Sequence, residues 1–166
     1  MLAHIAVTRA PFIGSPLSHD QPVHLLFVPD DGSHTQMGKP DRVLIIEDDL
    51  LNASQMEVTL SEAGFDIIGV ATTGEDALQI ALTEVPDLAI VDIRLAGDRD
   101  GVDTALELFR THGVRCIFAT AHSDQEARHR AAAASPLGWL QKPYNMTALT
   151  SMVRAAVKAI RGGSSR

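Results

Sequence analysis

The stretch Arg42-Val-Leu-Ile-Ile-Glu-Asp-Asp49 decides the fold. Its four consecutive apolar residues, Val43 to Ile46, leave no polar position for a solvated face, so the segment reads as a strand covered on both sides, as in a parallel sheet. The run then ends abruptly in three carboxylates, Glu47, Asp48 and Asp49. Downstream, short apolar runs alternate with longer stretches of 3.6-residue period. The strands read as Arg42–Glu47, Phe65–Ala71, Asp87–Asp92, Val114–Thr120 and Leu137–Gln141, and the helices as 50–63, 74–84, 101–112, 124–134 and 145–161. This alternation predicts an α/β fold, a five-stranded parallel sheet doubly wound with helices on both faces. The punctuation agrees. Thr73 and Ser123 each stand three residues ahead of a carboxylate, Asp76 and Glu126, as helix N-caps do, and Gly64 and Gly113 supply stops. On the last helix Met146, Leu149, Val153, Ala156 and Ile160 share one face and should pack on the sheet.

The 166 residues suit one domain with an appendage: residues 1–40 as a poorly ordered extension, 41–161 as the domain and 162–166 as a short tail. Five of the eight prolines and four of the seven histidines (His4, His19, His24, His34) precede residue 41, without helical or strand period. Those histidines lack the close pairing of metal ligands, although Val23–Val28 is apolar enough for an edge strand. Met37 stands just ahead of the first strand and is an alternative start. The net charge of -7 disfavours direct binding to nucleic acid. A single cysteine, Cys116 inside an apolar strand, excludes an internal disulfide framework and reads as a buried thiol in a cytoplasmic protein. The longest uncharged apolar stretch, Ala131 to Gln141, is too short to span a bilayer, so no membrane partner is expected.

In open α/β sheets ligands bind beyond the carboxyl ends of the strands. Those ends hold Glu47-Asp48-Asp49, Asp92, Thr120 and Lys142. Clustered carboxylates repel one another and call for an offsetting cation. Lys142 offers one charge, and an all-oxygen donor set favours a hard dication such as Mg2+. The set points to phosphoryl transfer. Asp49 reads more readily as the cap of the first helix than as a ligand.

Four motifs in order, Ile-Ile-Glu47-Asp48-Asp49, Ile90-Val91-Asp92-Ile-Arg-Leu, Phe118-Ala119-Thr120-Ala121 and Gln141-Lys142-Pro143, resemble those of the response-regulator receiver domains of two-component signalling. The resemblance covers residues 41–161 and implies the flavodoxin-like strand order 2-1-3-4-5. It implies that Asp92 accepts a phosphoryl group from a phosphohistidine of a sensor histidine kinase or histidine phosphotransfer protein. Mg2+ would be held by Asp48, Asp92 and the backbone carbonyl of Arg94, with Glu47 acting through a water. Lys142 would pair with the phosphoryl oxygens, Thr120 would move to donate to one of them, Trp139 would respond to that motion, and Pro143 would follow a cis bond. The last helix, last strand and preceding helix would form the surface that binds a downstream protein target or a second copy in a homodimer. Three departures accompany the resemblance: Trp139 is bulkier than the usual Tyr or Phe, Glu47 replaces the more frequent Asp, and the loop Leu95–Gly101 is longer and lacks its proline.

Arg94 and His122, two residues beyond Asp92 and Thr120, would border the path of attacking water and tune phosphoryl lifetime. Arg154, Lys158 and Arg161 form a basic stripe on the last helix, for an acidic partner or for that helix's own carboxyl end. With only Arg-Gly-Gly-Ser-Ser-Arg after Ile160, a stand-alone receiver acting through a partner is expected, with autodephosphorylation as its only other chemistry. Rival readings fit the residues less well. A phosphohydrolase with an aspartyl nucleophile needs a second Asp two residues on, where Arg94 stands, and a phosphorylation-independent interaction module would not need the complete residue set.

Overall fold

The computed structural model describes residues 39–121 and 125–163. Strands β1 (Arg42–Ile46), β2 (Asp66–Ala71), β3 (Leu88–Asp92), β4 (Arg115–Thr120) and β5 (Gly138–Gln141) alternate with helices α1 (Leu50–Glu62), α2 (Gly74–Thr83), α3 (Gly101–His112), α4 (Gln125–Ala131) and α5 (Met146–Gly163). All five strands pair in parallel, in the order β2-β1-β3-β4-β5.

The pleat explains why β1 carries no polar residue after Arg42. Successive side chains point to opposite faces, so Val43 and Ile45 enter one core with Met56 and Leu60 of α1 and Leu149 and Val153 of α5. Leu44 and Ile46 enter the other core with Ala77, Ala81, Val102, Leu108 and Ala131 from α2, α3 and α4. Strand β3 divides in the same way, with Leu88 and Ile90 on the first side and Ala89 and Val91 on the second. The anticipated stripe of α5 packs on the first core, with Leu149, Val153 and Ala156 buried and Met146 and Ile160 partly so.

Element ends follow their local chemistry. Asp49 caps α1 by accepting from the backbone N–H groups of Leu51 and Asn52, and Thr73 caps α2 by accepting from Asp76. Gly113 ends α3 at φ +69, a left-handed conformation that suits glycine. One expectation needs correction. The segment 124–134 is not one helix: α4 stops at Ala131 and a 3-10 turn, Ala132–Ala134, follows, with Ser135 at φ 48. Pro136 disfavours helical backbone at the residue before it, and the tightened last turn and left-handed Ser135 accommodate that restriction. The last helix also runs two residues beyond 161.

The extension 1–38, Ser123 and the final three residues lie outside the described residues, and with them the readings made of Val23–Val28 and the early histidines. Among the described residues no helix is long and apolar enough to cross a membrane.

Candidate functional site

Register places the polar strand ends side by side. Ile46 of β1 is level with Val91 of β3, so Glu47 and Asp92 leave neighbouring strands together. Asp92 is level with Ala119 of β4, and Thr120 with Gln141 of β5. The backbone N–H of Lys142 then donates to the carbonyl of Thr120 at 2.7 Å. Four residues spread over nearly a hundred positions of chain thus form one row along the carboxyl edge of the sheet.

Within that row the contacts are short. Lys142 Nζ donates to Oε2 of Glu47 at 2.7 Å and to Oδ2 of Asp92 at 2.6 Å. The other oxygen of Asp92, Oδ1, accepts from the backbone N–H of Arg94 at 3.2 Å. One carboxylate oxygen from each of Glu47, Asp48 and Asp92 lies within 4.8 Å of the others. Glu47, Asp92 and Thr120 are buried, whereas Asp48 is exposed. Lys142 is joined to Pro143 by a cis peptide bond, as the resemblance implies.

The electrostatics follow from this crowding. Burial pushes the Glu47 carboxyl up, and the neighbouring charge of Asp92 adds to the rise against the opposing hydrogen bond from Lys142. Burial would lower the Lys142 ammonium, but its hydrogen bonds to Asp92 and Glu47 outweigh that and hold it above its ordinary value. Burial also pushes the Tyr144 phenol up to about 12. Three carboxylates against one ammonium leave the hollow net negative. All the donors are oxygens and the outermost is solvent-facing, which fits a hard dication entering from water.

Trp139 is half-buried on β5. Its ring stacks on Phe118 of β4 with centroids 4.7 Å apart and planes 23° from parallel, and the Arg128 guanidinium carbon lies 4.5 Å above the ring centroid. Arg94 is exposed beside Asp92, and His122 lies outside the described residues. The basic stripe of α5 is exposed, and two of its members bond within the molecule: Arg161 donates to Oδ1 of Asp41 and Arg154 to the carbonyl of Ala63.

Three features had no reading in the sequence. The first is the pairing of Lys142 with Glu47. The second is Gly101, whose backbone lies so close to the strand end that an added Cβ would collide with the Asp92 carbonyl oxygen. The third is Arg130 of α4, which bonds to Asp100 and Asp103 at the start of α3. Asp100 carries a local signal, since Asp-Gly-Val-Asp is an N-cap pattern. Arg130 lies 30 residues away and carries none.

Residues 43–154 match the family model described as the response regulator receiver domain. The transcriptional regulatory protein PdtaR of Mycobacterium tuberculosis is 34% identical over 122 residues, 74% of this chain and 59% of that protein. The phyllosphere-induced regulator PhyR of Methylorubrum extorquens is 38% identical over 84 residues, 50% of this chain and 32% of that protein. The chain therefore spans well under two thirds of the relatives it matches. Among solved structures, the signal receiver domain of a modulated diguanylate cyclase from Desulfovibrio desulfuricans G20 superposes with a TM-score of 0.69 at 36% identity, covering 74% of this chain and 98% of that one. A CheY-like receiver domain protein from Methanospirillum hungatei JF-1 shares the fold, with a TM-score of 0.70 at 21% identity over 75% of this chain and 99% of that one.

Proposed function

The chain belongs to the response regulator receiver domain family of two-component signalling, and from that premise we propose that Asp92 accepts a phosphoryl group from a phosphohistidine and thereby switches the binding of a protein partner. The observation that carries this reading is the setting of Asp92. One of its oxygens is bonded to Lys142 and the other to the backbone of Arg94, with two further carboxylates close by.

In the proposed step a carboxylate oxygen of Asp92 attacks phosphorus. The P–O bond forms as the P–N bond to the donor imidazole breaks, the imidazole keeps the bonding pair, and the product is an acyl phosphate. Lys142 moves from the carboxylate pair to the phosphoryl oxygens as a charge-assisted donor, and the Thr120 hydroxyl, at the end of the neighbouring strand β4, donates to another of those oxygens. Hydrolysis reverses the modification: water attacks phosphorus and the carboxylate leaves. Arg94, exposed beside Asp92, and His122 would set the rate of that hydrolysis.

Asp48 and Asp92, with the backbone carbonyl of Arg94, would hold Mg2+ directly, and Glu47 through water. When bound, the ion offsets the charge of the carboxylates and of the transferred group. The phosphoryl donor would be a sensor histidine kinase or a histidine phosphotransfer protein. The responding surface would be α4, β5 and α5, which binds a downstream target or a second copy.

Incubation with acetyl phosphate and Mg2+, followed by intact-mass measurement, tests the reading. The wild type should gain one phosphoryl group and Asp92→Asn none. Equal gain in both proteins, or gain in neither, would overturn it.

A further inference from the structure

Helix α4 is held to the molecule differently from its neighbours. It is seven residues long, and its buried residues are two alanines, Ala127 and Ala131. Helix α3 buries Val102, Ala105 and Leu108, and α5 buries Leu149, Val153 and Val157. Two alanine side chains remove little apolar surface from water, and a helix of this length has little stability of its own. Between α4 and the segment after β3 lies an open groove of about 460 Å3, lined by Arg94, Leu95, Asp100, Glu126 and Arg130.

Two arginines bridge α4 to the rest. Arg130 donates to Oδ2 of Asp100 at 2.8 Å, to its Oδ1 at 3.3 Å and to Oδ1 of Asp103 at 2.7 Å. Arg128 lies over Trp139, which stacks on Phe118 two residues before Thr120. The first bridge leads back to the phosphoacceptor through main chain. Asp100 caps α3, the next residue, Gly101, donates its N–H to the carbonyl of Ile93 at 2.9 Å, and Gly101 has no room for a side chain against the Asp92 carbonyl. The same segment is braced on its other side by the bridge between Thr73 and Ala96 and by the pair Arg99–Glu75. Asp100 is therefore fixed with respect to Asp92, and Arg130 ties α4 to Asp100.

From this arrangement we infer that Arg130, clamped on Asp100 and Asp103, is a lock that holds α4 in its resting position and sets how much free energy the modification of Asp92 must supply to move it. The inference rests on the proposed function and adds its regulation. With Lys142 bonded directly to Asp92, this arrangement is taken as the resting one. A contact made in one of two states biases the equilibrium toward that state by its own differential strength. Arg130 is thus a positioning residue that touches no reacting atom.

The single tryptophan makes the lock measurable, because movement of α4 carries Arg128 away from the face of Trp139. Titration with beryllofluoride and Mg2+, followed by Trp139 emission, should be run on wild type, Arg130→Gln, Arg130→Lys, Asp103→Asn and Asp92→Asn, with circular dichroism to verify folding. Arg130→Gln should bind beryllofluoride roughly fivefold more tightly than wild type, the effect of losing an exposed ion-pair network of modest strength. Its emission before titration should already be displaced toward the bound form. Asp103→Asn should show a smaller gain, and Arg130→Lys should fall between wild type and Arg130→Gln. A responsive wild type with unchanged or weaker binding in folded Arg130→Gln and Asp103→Asn would overturn the lock while sparing the reading of Asp92. Should Arg130→Gln not fold, Asp103→Asn alone decides. A silent wild type, or an equal response from Asp92→Asn, would instead remove the reading of the site and the lock with it.

Discussion

Glu47 is 2% exposed, lies beside Asp92, and shares one ammonium group with it. That shared lysine explains how two carboxylates persist at adjacent strand ends, since an unpaired buried charge would cost several kcal/mol. These residue types were legible in the sequence because each follows an apolar run, and Asp92, Thr120 and Lys142 stand where the strand pattern ends. The pairing of Lys142 with Glu47, 95 residues apart, was not legible, because it depends on which strands become neighbours. Cys116 gives a prediction at this scale. Burial pushes its thiol up to about 12, so the reactive thiolate is scarce at neutral pH. Cys116 should resist an aromatic disulfide reagent in the native protein and react at once in denaturant, as absorbance of the released thiolate would record. Rapid native labelling would contradict its burial. For Arg94→Ala and His122→Ala, the rate of loss of the acyl phosphate should change, and unchanged rates in both would remove their tuning role.

At the scale of elements, the joint between β3 and α3 governs the site. Gly101→Ala would drive a methyl group into the Asp92 carbonyl. Overpacking of this kind typically costs about 1–3 kcal/mol, so urea unfolding should show a loss at least that large, together with impaired phosphoryl uptake. The pair Asp100–Arg130 adds a pH dependence. Burial raises the Asp100 carboxyl, but the hydrogen bond from Arg130 and the backbone N–H of Asp103 outweigh it and hold the group below its ordinary value. A depressed carboxyl contributes stability above its unfolded value, and that contribution is lost as the pH falls through the lower folded value. Asp100→Asn keeps the cap and removes the charge, so it should cost under ~1 kcal/mol at neutral pH for so exposed a pair. The difference between variant and wild type should vanish under acid, and a penalty that persists there would show that the charge is not its source. The helices α1, α2, α3 and α5 were legible because each has an apolar stripe, and Gly64 and Gly113 mark the ends of α1 and α3. The break after Ala131 was not, because Ala131 to Ala134 is equally compatible with continued helix, and only Pro136 and the left-handed turn at Ser135 decide against it.

For the molecule as a whole, two cores on opposite faces of one sheet hold the strand ends level, so the site is a product of register rather than of any single loop. The alternation of apolar runs made this doubly wound plan legible, and the four polar ends followed once the strands were parallel. What could not be read was the tethering of α4 by arginines, because exposed cations carry no periodic signal. A site of three carboxylates and one lysine should gain from a dication. Mg2+ at a hundredfold excess over its dissociation constant should stabilise the native state by about 2.7 kcal/mol, seen as a rise in Tm that a chelator reverses and that Asp48→Asn largely abolishes. An unaltered Tm would place no ion among Glu47, Asp48 and Asp92. The most direct test of the central claim is to trap the modified carboxyl. After treatment with acetyl phosphate and Mg2+, borohydride converts an acyl phosphate to an alcohol, and peptide mass spectrometry locates the reduced residue. The account predicts reduction at Asp92 and at no other carboxyl group; reduction at Glu47 or Asp48, or at none, would contradict it.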